Sequence, residues 1–582
     1  MDLSTEPGSD GPGLEHDPAA DRVGSGPGDA TPAPPPKWAR PPLVVAAFVL
    51  LALVAQAIRC HMIGKPITFD AANYQYYTGY AEIHGYGDPL SLPGGLETYL
   101  DPQLNTLYYL LINYLPVRFA VYAIAALQSL VVSGLGLLVW AGVRRRSSSH
   151  YVPIAAGLLA AAGAYFAPIF AIETAETSSD ALLAILVFAA AALLFQIIPV
   201  SVSRTSYLKA VGAGLILGID AELKFTQAAF GIALVAGFAL ALLADSGRRS
   251  LGRSLKQCLG LVVAVVLPAV IVAVALYLPE GLFLWHRFHD PLFPFYNGVF
   301  HSADLKPGDF SPGYVARTPT SLWQHFSQLV VGGANAPNGF YQWKLRSPVL
   351  FCSLIAVFLG LVYDLVKRTR PQAIFLEGSF ILGFLLWAIL FGFYRYVAPL
   401  EIAAAATVVL VASLHWPDAD SEAGALPPGR LRRLAQPLAL GVIALAFLVG
   451  APLSVYSRLG NPAAFGTSYF GVSANAFKPL AGDGIVFAGS PLGYLVPELP
   501  AGTEIVSVGG SAEEVMSRGW WKHVKSVVQA SHRKWWLVSS PLSDKATLRY
   551  LAQIGFPPVI GTCHTVGTDV TVLDVCELPR PG

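Results

Sequence analysis

The stretch Thr68-Phe-Asp-Ala-Ala-Asn-Tyr-Gln-Tyr-Tyr-Thr-Gly-Tyr-Ala81 holds one carboxylate, Asp70, beside an amide, Asn73, and a dense group of tyrosines, Tyr74, Tyr76, Tyr77 and Tyr80. Tyrosine joins a flat apolar face to a hydroxyl, which suits an amphiphilic ligand at the level of lipid headgroups. A lone carboxylate there can act as a general base once a hydroxyl comes within hydrogen-bond reach. For an inverting transfer at a sugar's anomeric carbon one such base suffices, unlike the paired carboxylates of glycoside hydrolysis. The structural alternative is that Asp70 is a solvated loop residue or caps a helix starting near Ala71.

Further acids and bases qualify by type and setting. Glu97 and Asp101 follow in the same loop, where Asp101-Pro102 favours a turn, so Asp101 ranks behind Asp70. In Glu173-Thr-Ala-Glu-Thr-Ser-Ser-Asp180, Asp180 either caps the helix that follows or lines the same cavity. Gly218-Ile-Asp-Ala-Glu-Leu-Lys-Phe-Thr-Gln227 sets Lys224 where two apolar helices meet. A charge in that position is costly and points to function, such as contact with a lipid phosphate whose negative charge grows as its bond to sugar breaks. Otherwise Lys224 snorkels or pairs with Asp220 or Glu222. Arg287, in the aromatic run Leu284-Trp-His-Arg-Phe-His-Asp-Pro-Leu-Phe-Pro-Phe-Tyr-Asn297, can bind two phosphate oxygens at once. His286, His289 and Asp290 do not have the spacing of a known metal site, so no cofactor is expected and a divalent metal is not indicated. Arg395, in Phe393-Tyr-Arg-Tyr396, adds a third cation, with snorkelling as its structural alternative.

These groups must be held by membrane helices. The 582 residues are 54% hydrophobic and 13% charged, with mean hydropathy +0.53, far from a soluble domain. A net charge of +1 gives no support for a nucleic-acid partner. About eleven apolar runs are long enough to suggest spans: 41–58, 117–140, 151–170, 181–200, 210–221, 226–244, 259–278, 348–366, 374–393, 397–416 and 438–456. The fifth is short. Lys and Arg gather in alternate connections: Lys37 and Arg40, Arg144 to Arg146, Arg204 and Lys209, Arg248 to Lys256, Lys367 to Arg370, and Arg430 to Arg433. Cytoplasmic loops retain such residues, so the N-terminus is expected in the cytoplasm of a multi-pass plasma-membrane protein. Loops 59–116 and 279–347 and everything after 456 then lie outside, with 104–115 as a helix along the surface.

Residues 1–36, rich in Gly, Pro, Asp and Ala, read as a disordered cytoplasmic tail ahead of a retained first helix, and 37–456 as the membrane domain. From 457 to 582 the pattern changes to short strands, at 484–489, 504–510, 534–540 and 569–578, with a helical stretch at 511–529. This predicts a small extracytoplasmic α/β domain. Its Gly509-Gly510 lacks the rest of a dinucleotide fingerprint. Cys563 and Cys576 fall where an oxidising compartment would permit a bridge.

Phe69 to Ala81 resembles the Asp-x-x-Asn-Tyr-(His/Gln)-Tyr-Tyr pattern of a group of bacterial multi-span proteins similar to GT-C glycosyltransferases. Glu97-Thr-Tyr-Leu-Asp-Pro102, Leu223-Lys-Phe-Thr226, Asp290-Pro-Leu-Phe-Pro-Phe-Tyr-Asn297 and Tyr394-Arg-Tyr396 resemble its other blocks, in the same order. Gln75 stands where His is more usual. The resemblance implies a GT-C-like α-helical membrane fold and a hexosyl- or pentosyltransferase. It further implies a polyprenyl-phosphate sugar donor and an envelope glycan, lipid or protein acceptor. By position Asp70 would be the base, and Lys224 and Arg395 donor-phosphate contacts. A transporter or flippase for a lipid-linked saccharide and a noncatalytic assembly subunit are the competing readings. No internal repeat favours transport.

Overall fold

The structure, a computed structural model, describes residues 40–86, 92–100, 103–147, 149–198, 203–246, 251–308, 315–331, 346–367, 370–416, 461–473, 475–508, 516–540, 544–557 and 560–581. The tail 1–36, Asp101, Gly509-Gly510 and the eleventh apolar run lie outside the described residues. Residues Met1–Val44 form one unit, described only at the start of its helix, and Val45–Gly582 form a second.

Ten of the predicted apolar runs coincide with helices. They are α1 (Pro41–Ile63), α4 (Val117–Arg144), α5 (Tyr151–Tyr165), α7 (Asp180–Phe195), α8 (Arg204–Leu223), α9 (Ala228–Ser246), α10 (Leu251–Phe288), α13 (Pro348–Lys367), α14 (Pro371–Leu390) and α15 (Ala398–Leu414). Among the described residues, seven helical segments are long and apolar enough to cross a membrane, and α5 and α7 are shorter apolar helices. Three expectations change. The fifth run is short, yet the helix that holds it, α8, starts earlier, at Arg204, and has 20 residues. The third stops at Tyr165, then the chain turns into α6 (Pro168–Ile172), whose proline cannot continue a helix but fits its first turn. The seventh extends through 38 residues, so His286 and Arg287 ride on its last turn rather than in a loop.

The outer segments build a second layer. After α1 come strand β1 (Lys65–Ile67), a π-helical turn at Ala71–Gln75, and α2 (Tyr76–His84). The expected surface helix is α3 (Gln103–Tyr114). Strand β2 (Asn461–Ala463) pairs antiparallel with β1, so the C-terminal segment is tied to the chain just after the first span. The sheet that follows comprises β3 (Gly484–Ala488), β4 (Glu504–Val508), β5 (Trp535–Ser539), β6 (Cys563–Gly567) and β7 (Val572–Leu578). Its order is β4-β3-β5-β7-β6, parallel among β3, β4 and β5 and antiparallel across β7 and β6. Cys563 and Cys576 are register partners and are bridged.

Side chains alternate along a strand, and here each face of the sheet has its own cover. Ile485, Phe487 and Val538 pack with Ala71, Ala72 and Tyr76 of the Asp70 segment. Val486, Ala488 and Leu537 face the other way, onto Trp520, Val524 and Val528 of helix Arg518–Ala530 and onto Leu284 and Phe288 at the end of α10. Burial on both faces explains why β3 reads as an unbroken apolar run.

The sheet layer touches the π-turn closely at Gly493, where an added Cβ would sit 2.0 Å from the Asn73 carbonyl oxygen. Gly493→Ala is expected to force the two segments apart and destabilise the protein by about 1–3 kcal/mol. Thermal unfolding in detergent checks this; an unchanged midpoint would show that the contact yields freely. Lys65 adds a polar tie, fully buried, with its ammonium 2.7 Å from Asp569 and 3.0 Å from the Ser468 carbonyl.

Candidate active site

Asp70 opens the π-turn but does not cap it. Its side chain makes no capping bond, and the Thr68 hydroxyl accepts from the Ala71 amide at 3.1 Å instead. The carboxylate is left for other partners. Arg395 Nη1 lies 2.6 Å from Asp70 Oδ2, and the Tyr74 hydroxyl is 3.5 Å from the same oxygen.

Asp180 behaves in the same way. It is the first residue of α7, yet it is Glu173 that accepts the Ala181 amide at 2.8 Å. Asp180, fully buried, instead faces Lys224 Nζ at 2.7 Å and Arg395 Nε at 3.1 Å. Lys224 therefore pairs with neither Asp220 nor Glu222 in the described contacts. It reaches Asp180 because α8 ends at Leu223 and Lys224 is extended, before a 3₁₀ turn, Phe225–Gln227, leads into α9. Tyr396 closes this side, with Lys224 Nζ 5.2 Å and the Arg395 guanidinium 5.6 Å from its ring centroid. Four predicted residues, Asp70, Asp180, Lys224 and Arg395, thus meet as two carboxylates and two cations at one end of the bundle.

The remaining candidates divide. Asn73 donates to the Gly94 carbonyl at 3.1 Å and Tyr77 to the Tyr86 carbonyl at 3.2 Å, so both brace the loop. Gln75 hydrogen-bonds Thr177, joining the Asp70 segment to the turn before Asp180. Gln128, which sequence reasoning passed over, supports that turn by donating to the Glu173 carbonyl at 2.7 Å and accepting from the Ala175 amide at 2.8 Å. A glutamine inside an apolar run was its only signal. Arg287 is exposed against the Phe288 ring, and no ion pair among the described residues joins it to the group. Asp290 accepts from the Leu292 amide at 2.9 Å and shapes the turn after α10. No group of three or more His, Cys, Asp or Glu among the described residues is placed to hold a metal ion.

Glu97 sits beside this cluster. Burial, reinforced by the charge of Asp70, pushes its carboxyl up to about 7 from 4.5. Burial also raises the Tyr74 hydroxyl, and Asp70 adds to it, so Tyr74 stays a neutral donor. Because folded Glu97 binds its proton more tightly than the unfolded chain, its contribution to stability is full below about 4.5 and lost as pH rises through about 7. Glu97→Gln is expected to flatten that part of the stability profile. Thermal midpoints of both proteins across this range decide it, and parallel profiles would rule the effect out.

No protein-family model matches this chain, and no curated protein does. Among solved structures, ArnT from Cupriavidus metallidurans in the apo state is 16% identical and aligns over 91% of this chain and 97% of its own, with a TM-score of 0.52. The same protein bound to undecaprenyl phosphate aligns over 91% and 97% at 16% identity, with a TM-score of 0.50. The likeness establishes the fold, which this chain shares with ArnT.

Proposed function

We propose that this protein is a membrane glycosyltransferase that takes a sugar from a polyprenyl phosphate and gives it, with inversion, to a cell-envelope acceptor on the extracytoplasmic side. The meeting of Asp70, Asp180, Lys224 and Arg395 carries the reading. The ArnT structure with undecaprenyl phosphate supports a lipid phosphate as the ligand class, and the alternating basic loops support the orientation.

In this reading the donor phosphate lies against Lys224 and Arg395. It competes with Asp70 for the guanidinium and so frees Oδ2, which is otherwise 2.6 Å from Arg395. Asp70 then takes the proton of the acceptor hydroxyl as that oxygen bonds to the anomeric carbon. The bond from carbon to phosphate oxygen breaks, and its electron pair stays on the phosphate. Lys224 and Arg395 stabilise the charge that grows there. Asp180 fixes both cations, and Tyr74 orients Asp70.

The test is single-turnover transfer from a panel of radiolabelled polyprenyl-phosphate sugars to membrane extracts by the purified protein. Labelled acceptor is the expected product. Movement of the intact lipid-linked saccharide across proteoliposomes without bond cleavage would replace the reading with a flippase.

A further inference from the structure

A cavity of about 400 Å³ lies inside the helical bundle, walled by Leu135 of α4, Phe188 of α7, Phe380 of α14 and Ala406 of α15. Its wall is otherwise mostly apolar, but Arg145, Arg146, Gln196 and Gln372 line one end. That end is remote from the proposed catalytic group. Gln196 follows the last residue of α7, whose first residue is Asp180, and the arginines close α4. Arg146 is braced by Gln372 at 2.8 Å, and Gln372 in turn donates to the Ile198 carbonyl. Arg145 is exposed at the mouth.

We infer that this cavity binds an anionic phospholipid of the cytoplasmic leaflet, one acyl chain between the helices and the phosphate at Arg145 and Arg146. The dimensions select the occupant. Along α4 and the two residues after it the lining runs from Leu135 to Arg146, and on α15 from Pro399, in its first turn, to Leu410, about 16 Å each at 1.5 Å per residue. That is roughly half of a ~30 Å hydrocarbon core, the reach of one acyl chain. The volume falls within the range of small-ligand pockets and suits a single chain, whereas a polyprenyl tail is several times longer. Charge selects the headgroup, since two guanidiniums at the mouth favour a phosphate without a compensating choline. The inner leaflet supplies such lipids, and basic residues beside it attract them.

The full-length protein in detergent, incubated with palmitoyl-oleoyl phosphatidylglycerol or its phosphatidylcholine counterpart, would be examined by native mass spectrometry. Wild type is expected to retain one phosphatidylglycerol in preference to phosphatidylcholine. Arg145→Gln should lower the preference by about fivefold and the double variant with Arg146→Gln further. Ala406→Phe, which fills the cavity, should lose both lipids. Arg144→Gln should change nothing, because that guanidinium stacks 5.2 Å from Trp140 and does not line the cavity. Arg145→Gln alters only an exposed side chain and keeps the test valid if a filled cavity impairs folding. Equal retention of the two lipids by wild type, an undiminished preference in Arg145→Gln, or a co-purifying adduct with the mass of a polyprenyl phosphate would overturn the inference.

Discussion

Asp70→Asn is expected to lower single-turnover sugar transfer by about 10²–10⁴-fold, the usual contribution of a positioned general base. The substitution keeps the shape of the side chain and removes only its basicity. Folding should survive it, because Arg395 retains Asp180 at 3.1 Å and the π-turn is held by Thr68 and Asn73. Donor binding should persist or tighten, since the guanidinium is no longer shared with a carboxylate 2.6 Å away. Two measurements on one variant therefore separate the possibilities. Lost transfer with retained binding of labelled polyprenyl phosphate marks a base. Joint loss of both would make Asp70 part of the binding scaffold, and undiminished transfer would remove it from the reaction.

The residues of this group were legible in the sequence because each broke a local rule. Lys224 and Asp180 are charges beside apolar runs, Arg395 stands at the end of one, and Asp70 follows another among tyrosines. Their partners were not legible. Asp220 and Glu222 are nearer to Lys224 in sequence, yet the break after Leu223 and the extended backbone at Lys224 turn its side chain toward α7. Strand β6, Cys563–Gly567, exposed along most of its length, was not readable, but the other four strands of the C-terminal sheet were, from their short apolar runs, and so was the small domain they build. What it rests on was not. The contact of Gly493 with the Asn73 carbonyl, and of Lys65 with Asp569, joins residues hundreds of positions apart, and neither residue type announces it. The end of the seventh span was misplaced because Pro279 reads as a stop signal, whereas α10 carries both Pro268 and Pro279 and continues to Phe288.

Arg395→Gln should cost both stability and transfer, and a second substitution tells the two losses apart. Asp180 is fully buried and draws on Arg395 and Lys224, at 3.1 and 2.7 Å. Removing Arg395 leaves that carboxylate with one cation, which points to a loss of about 3 kcal/mol, the low end for breaking a buried ion pair. Asp180→Asn in the same chain removes the stranded charge. Lys224, whose side chain is 19% exposed, can then turn to water or remain over Tyr396. The double variant should therefore regain most of the thermal midpoint while transfer stays lost, because the departing phosphate has one cation where it had two. Recovery of transfer together with stability would mean that Arg395 serves only as a counter-ion for Asp180. Stability lost without recovery in the double variant would mean that the guanidinium is needed for packing against Phe393 and Tyr396, independent of charge.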